Sequence, residues 1–166
     1  MIGRALGILR AMEKVAAAVA LSVLVTVVFM GVVGRYAGRP VLWSDEIAQG
    51  LFVWVALLAG DITLQRRGHF SVDILANLLP PRARYALDVA IHLLLAALLG
   101  LLIYNGFKFA GMTNSRPLPM TGIRASWATA ALPVGFSLML LTIVEQIVQT
   151  FVRGAPPAPE PPSEVM

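Results

Sequence analysis

The sequence predicts an all-α integral membrane protein with four transmembrane helices and a short amphipathic helix lying in the membrane interface between the second and third. Four apolar stretches, 15–33, 47–64, 89–107 and 127–144, hold almost no charge and are joined by short charged connections. An α-helix rises ~1.5 Å per residue, so each stretch crosses most of a ~30 Å hydrocarbon core and its flanking residues complete the span. A soluble helical bundle would repeat polar residues every third or fourth position, yet 15–33 offers only Ser22 and Thr26. Composition agrees: 58% of the 166 residues are hydrophobic and 13% are charged, with a mean hydropathy of +0.78.

The first stretch follows Arg4, Arg10 and Lys14, as the core of a secretory signal would. It is longer than a typical signal core and ends in Gly34-Arg35-Tyr36 instead of a small-residue cleavage pattern, so a permanent span is expected. The second opens at Trp43-Ser44-Asp45-Glu46, where Ser44 is placed to cap the helix. Acids in the first turn suit the positive end of the helix dipole, and Trp43 suits the headgroup layer. In the central connection, a helix over 71–79 capped by Ser71 gathers Val72, Ile74, Leu75, Leu78 and Leu79 on one arc until Pro80-Pro81 stops it. That pattern suits a strut lying flat in the interface; the plainer alternative is an amphipathic extension of the third helix. The third and fourth spans follow, and the fourth carries Pro133 and Gly135, a combination that permits a bend and close helix approach. A static kink is the favoured reading of this pair, a transport hinge the rival. One membrane domain over 1–152 is expected, followed by a disordered Pro-rich tail over 153–166.

Lys and Arg set the orientation. Eight of them (Arg4, Arg10, Lys14, Arg66, Arg67, Arg82, Arg84 and Arg153) fall on the side of the termini and central connection, against five (Arg35, Arg39, Lys108, Arg116 and Arg124) on the other. Both termini are therefore expected in the cytoplasm. The net charge of +4 reflects this topology, and no separate basic domain exists to bind nucleic acid. The absence of cysteine excludes disulfides and thiolate metal sites.

Few residues inside the spans have side chains that carry chemistry. Asp61, near the end of the second span, and His92, near the start of the third, stand at similar depth if the two spans form a hairpin. A carboxylate in lipid needs a partner, so Asp61 is expected to find His92, Arg66 or a helix-end donor. The functional reading is a proton or cation site; the favoured one is a satisfied polar contact near a water-accessible end. Trp43, Asp45 and Glu46 at the opposite end are candidate docking residues, with Glu46 pairing a basic residue of another subunit as one reading and plain helix capping as the other. With His69 in a connection and His92 alone inside a span, a bis-histidine haem is not expected. No phosphate loop, nucleophile elbow or metal-ligand cluster is present, so no enzyme activity, cofactor or resident metal is expected.

The order and spacing of Trp43-Ser44-Asp45-Glu46, Val53-Trp54, Gly60, Arg66, Gly68-His69-Phe70-Ser71-Val72-Asp73, Ser115-Arg116-Pro117-Leu118-Pro119, Trp127 and Leu132-Pro133-Val134-Gly135 carry a family resemblance. Over roughly residues 10–150 the chain resembles the small membrane (DctQ-type) subunit of tripartite ATP-independent periplasmic (TRAP) transporters. The resemblance implies a bacterial inner-membrane subunit whose partners are a large multi-span membrane subunit, a periplasmic solute-binding protein and membrane lipid. It further implies sodium-driven symport of a carboxylate-bearing solute through the large subunit, with the small one enlarging its stationary scaffold through its second and third spans. Two other classes stay open at this point. A miniature dimeric exporter needs an acid deep in its first helix, and an electron-transfer anchor needs facing histidines.

Overall fold

The computed structural model describes residues 2–65 and 81–153. Four long helices dominate: α1 (Ile2–Tyr36), α2 (Trp43–Gln65), α3 (Pro81–Thr113) and, after the single turn α4 (Ser126–Thr129), α5 (Ala131–Arg153). Among the described residues, four segments are long and apolar enough to cross a membrane: Leu6–Tyr36, Trp43–Gln65, Tyr85–Thr113 and Ser126–Val152. The interfacial helix expected over 71–79, Arg66, and the Pro-rich stretch after Arg153 lie outside the described residues.

The helices outrun the apolar stretches because polar residues at their ends continue the same hydrogen-bonded ladder into the interface. At 35 residues α1 is about 52 Å long, well beyond the hydrocarbon core. Pro133 sets the start of α5. It has no N–H to offer Thr129, and its ring crowds that carbonyl, so the helical run breaks at Ala130 and leaves α4 as a separate turn. Pro133 then sits in the first turn of α5, where a proline is tolerated.

The order of the four long helices in space is α1, α2, α5, α3. Helix α1 packs on α2, α2 on α5, and α5 on α3, whereas α1 and α3 form no packed pair among the described residues. The result is a row, not a closed bundle, and α5 stands between the two helices that precede it in the chain.

Small residues make these approaches possible, as expected where lipid supplies no hydrophobic drive for helix association. A side-chain carbon on Gly135 would stand 2.6 Å from Leu57 of α2, and one on Gly106 of α3 would stand 3.2 Å from Pro133. The Trp127 ring lies over Gly50, where any added carbon would overlap it. Trp54 Nε1–H donates to the Trp127 carbonyl at 3.1 Å, which holds the α4 turn against α2. Helix α1 turns a narrow seam, Glu13, Ala17, Ala20, Leu24, Val27, Gly31 and Gly34, away from solvent at alternating three- and four-residue steps. Among the described residues the buried apolar set is small, Val27, Leu58, Leu99, Ala131 and Ile143, while side chains such as Phe29 (68%) and Leu94 (71%) are mostly exposed. That proportion suits a molecule whose solvent is lipid.

Gly50→Ala is expected to destabilise the protein by about 1–3 kcal/mol through overpacking against Trp127, seen as a lower thermal unfolding midpoint in detergent. Gly7, which has open space around it, serves as the control: Gly7→Ala should leave the midpoint unchanged or raise it.

Candidate functional site

At the end of the row that carries both termini, polar side chains from all four long helices converge. Asp61 and Gln65 of α2 lie one turn apart, and Thr142, Glu145, Gln146 and Gln149 of α5 share one face at three- and four-residue spacing. Glu13, Asp61, His92, Thr142 and Gln146 are all buried, Asp61 to 1% exposure.

Each helix interface is crossed by a hydrogen bond. Gln65 Nε2 donates to Glu13 Oε2 at 2.5 Å and to Asp61 Oδ2 at 2.7 Å, joining α1 to α2. Thr142 Oγ1–H donates to Asp61 Oδ1 at 2.9 Å, and Gln146 Nε2 donates to the Leu64 carbonyl at 2.9 Å, joining α5 to α2. The Gln146 Oε1 stands 3.2 Å from His92 Nε2, joining α5 to α3, and His92 Nδ1 lies 2.7 Å from the Asp88 carbonyl. Arg10 pairs with Glu145, whose other oxygen accepts from Gln149, so α1 reaches across to α5. The His92 nitrogens thus face oxygen acceptors on both sides. The Gln146 amide is oriented by its donation to Leu64, which leaves its oxygen for the imidazole.

This belt engages both intramembrane candidates. The oxygens of Asp61 are taken by Gln65 and Thr142, and no bond links Asp61 to His92. The expected hairpin of neighbouring second and third spans is corrected here: α5 stands between α2 and α3, so each candidate bonds to α5, at positions one turn apart. Glu13, Gln65, Thr142 and Gln146 did not stand out in the sequence. Glu13 sits among basic residues before the apolar run, and Gln146 lies past the end of another. Their signal is that each falls on the packed stripe of its helix.

At the opposite end, Glu46 has an internal task. Its carboxylate accepts from the backbone N–H groups of Met120 and Thr121 and from the Thr121 hydroxyl, each at 2.9 Å. The connection between α3 and α4 is a short hairpin in which Pro117 and Arg124 pair and Gly122, at φ 67°, makes the turn. Glu46 therefore pins this hairpin to the first turn of α2, 74 residues away. Asp45 and Arg35 form an exposed ion pair at 3.2 Å, and Trp43 is 41% exposed. Ser44, expected as a cap acceptor, instead donates its hydroxyl to the Val41 carbonyl at 2.7 Å. Trp127 is held by its carbonyl and ring face; its buried Nε1–H has no hydrogen-bond partner among the described residues. Pro133 and Gly135 are buried where α5 is squeezed by α3 and α2.

Removing the hub of the belt should be costly. Asp61→Ala leaves the Thr142 hydroxyl and a Gln65 N–H buried without acceptors, each worth about 1–3 kcal/mol, so thermal unfolding in detergent should shift down clearly. The loss should be partly restored by Asp61→Ala combined with Thr142→Val, which removes one orphan donor. For Glu46→Ala, faster amide hydrogen exchange is expected at Met120 and Thr121, with α5 protected as before; unchanged exchange there would contradict the pinning role.

A family model for the tripartite ATP-independent periplasmic transporters, DctQ component, matches residues 24–153. The sialic acid TRAP transporter small permease protein SiaQ of Vibrio cholerae is 31% identical over 108 residues, covering 65% of this chain and 62% of that one. The sialic acid TRAP transporter permease protein SiaT of Haemophilus influenzae is 30% identical over 115 residues, which cover 69% of this chain and 19% of that protein. The C4-dicarboxylate TRAP transporter small permease protein DctQ of Vibrio cholerae is 29% identical over 152 residues, covering 76% of this chain and 65% of its own length. The chain thus spans less than two thirds of the length of these relatives. With four helices long and apolar enough to cross a membrane and a family match over most of its length, the chain belongs to the DctQ-component family of tripartite ATP-independent periplasmic transporters.

Proposed function

We propose that this subunit is a static scaffold for a large TRAP membrane subunit, which carries out sodium-driven uptake of a carboxylate-bearing solute delivered by a periplasmic binding protein. The observation that supports a scaffold most directly is the belt. Its buried polar groups are engaged with one another across every helix interface, as befits a part that holds shape while another moves. The relatives support the company it keeps. In SiaT, and in the isethionate TRAP transporter permease protein DctMQ of Oleidesulfovibrio alaskensis, the matched stretch is only 19% and 20% of a single permease chain. The remainder of such a chain is the natural counterpart of a separate large subunit. Of the solutes in the relatives' names, sialic acid and C4-dicarboxylate bear carboxylates and isethionate a sulfonate, which favours an organic anion here, with a carboxylate the commoner form.

The Lys and Arg distribution supports cytoplasmic termini, with the belt on the cytoplasmic side and the Glu46-pinned hairpin at the periplasmic rim. There Trp43 and the exposed Asp45–Arg35 pair remain the candidates for contact with the binding protein, while Glu46 acts indirectly by fixing the hairpin. The chain itself is proposed to need no cofactor; the sodium gradient is used by its partner.

Purification of the tagged chain in mild detergent from membranes that also express its large subunit is expected to yield the two in equal amounts by quantitative mass spectrometry. Recovery of a stable homodimer alone would overturn the scaffold reading in favour of a self-sufficient exporter.

A further inference from the structure

Hydrogen-bond geometry sets the number of protons on His92. The ring is 6% exposed, and its Nδ1 stands 2.7 Å from the Asp88 carbonyl and 3.4 Å from the Asp88 carboxylate. A carbonyl oxygen cannot donate, so Nδ1 carries a proton. The other nitrogen, Nε2, stands 3.2 Å from Gln146 Oε1 on α5. The Gln146 amide is fixed in turn, because its Nε2 donates to the Leu64 carbonyl at 2.9 Å and a turned-over amide would set oxygen against oxygen there. The side of Gln146 that meets the ring is therefore an acceptor, and His92 Nε2 carries a proton too. Both ring nitrogens donate only in the imidazolium.

A neutral ring keeps one proton, and where the other is lost matters. The Nδ1 contact is the shorter and has the Asp88 carboxylate beside it, so Nδ1 keeps its proton and Nε2 gives its proton up. A ring lone pair then points at the Gln146 oxygen across the interface between α3 and α5. Gln146 can turn over and donate to the ring, but it then abandons Leu64 of α2. It bonds to both neighbouring helices only while His92 is charged. The other ionisable groups of the belt are engaged elsewhere: Asp61 accepts from Gln65 and Thr142, Glu13 accepts from Gln65, and Glu145 pairs with Arg10. A groove lined by Val89, Ile147, Thr150 and Phe151 opens onto His92, so the ring can be reached from outside the bundle.

We infer that His92 stands in this protein as an imidazolium whose proton closes the joint between α3 and α5, so that the joint loosens as pH rises. The sign follows from the acceptors: the protonated ring makes both bonds, so their contribution is whole at low pH and is lost as pH rises through the titration of the ring in the folded chain. The joint is the one that attaches α3 to the rest of the row, since α3 packs chiefly on α5. The device belongs to this chain alone and does not depend on what the large subunit carries.

The test uses the full chain purified together with its large subunit. Deuterium exchange at the imidazole C2–H, read by mass spectrometry from about pH 5 to about pH 9, follows the titration of His92 in its own peptide, apart from His69. Backbone amide exchange is read in the same samples and corrected for its intrinsic pH dependence. Exchange over 89–95 and 146–150 is expected to rise about tenfold through the midpoint of the His92 ring, the scale of one hydrogen bond to a charged group. Gln146→Glu, which presents a carboxylate to Nε2, should move that midpoint up by about one pH unit, and Gln146→Met should move it down by about as much. Amide protection that stays flat while the ring titrates overturns the inference, as does a His92 midpoint that is the same in the wild type and in Gln146→Glu. Should Gln146→Met fail to fold, the wild type and Gln146→Glu decide by themselves.

Discussion

The joining of the four long helices into one row depends on the close approach of α5 to α2 on one side and α3 on the other. Gly135 lets Leu57 in, Gly106 receives Pro133, and Gly50 receives the Trp127 ring. Without these gaps the two outer pairs would not meet, because α1 touches chiefly α2 and α3 chiefly α5. In lipid, such contact is driven by dispersion and by hydrogen bonds, both of which fall away within an ångström or two of extra separation. The glycines therefore set the distance at which the polar belt can form at all.

The belt in turn accounts for residues that would be costly in lipid. Glu13, Asp61 and Gln146 sit on the packed stripes, where partners are fixed, and not on the exposed faces. A carboxylate that accepts from a hydroxyl and an amide, as Asp61 does, exchanges hydration for directed bonds. The same logic operates at the other end, where Glu46 satisfies two backbone N–H groups that the hairpin turn would otherwise leave to water. Charged groups in this protein are used as fasteners at both membrane boundaries, and the apolar middle is left to shape.

The four spans and the polarity at Asp61 and His92 were legible in the sequence because each is a local property of a stretch or a residue type. Neighbour order was not. Hydrophobic runs say that a segment lies in lipid but carry no label for which segment stands beside it, so α2 and α3 read as a hairpin when α5 in fact separates them. The partners of Glu46 were hidden for a related reason: two of its three bonds go to backbone N–H groups of Met120 and Thr121, which no side-chain pattern announces. Gln65 and Gln146 did not stand out in the sequence, although their position on the packed stripe follows from helical spacing once the neighbours are known.

The row has a bearing on biogenesis. Helices leave the ribosome in chain order, so α1 and α2 can pair as soon as both are in the membrane. Helix α3 then enters with no resident neighbour to receive it, since its packing partner is synthesised last. Among the described residues the early pair and α3 share no packed interface of their own, so the row is complete only once α5 stands between them.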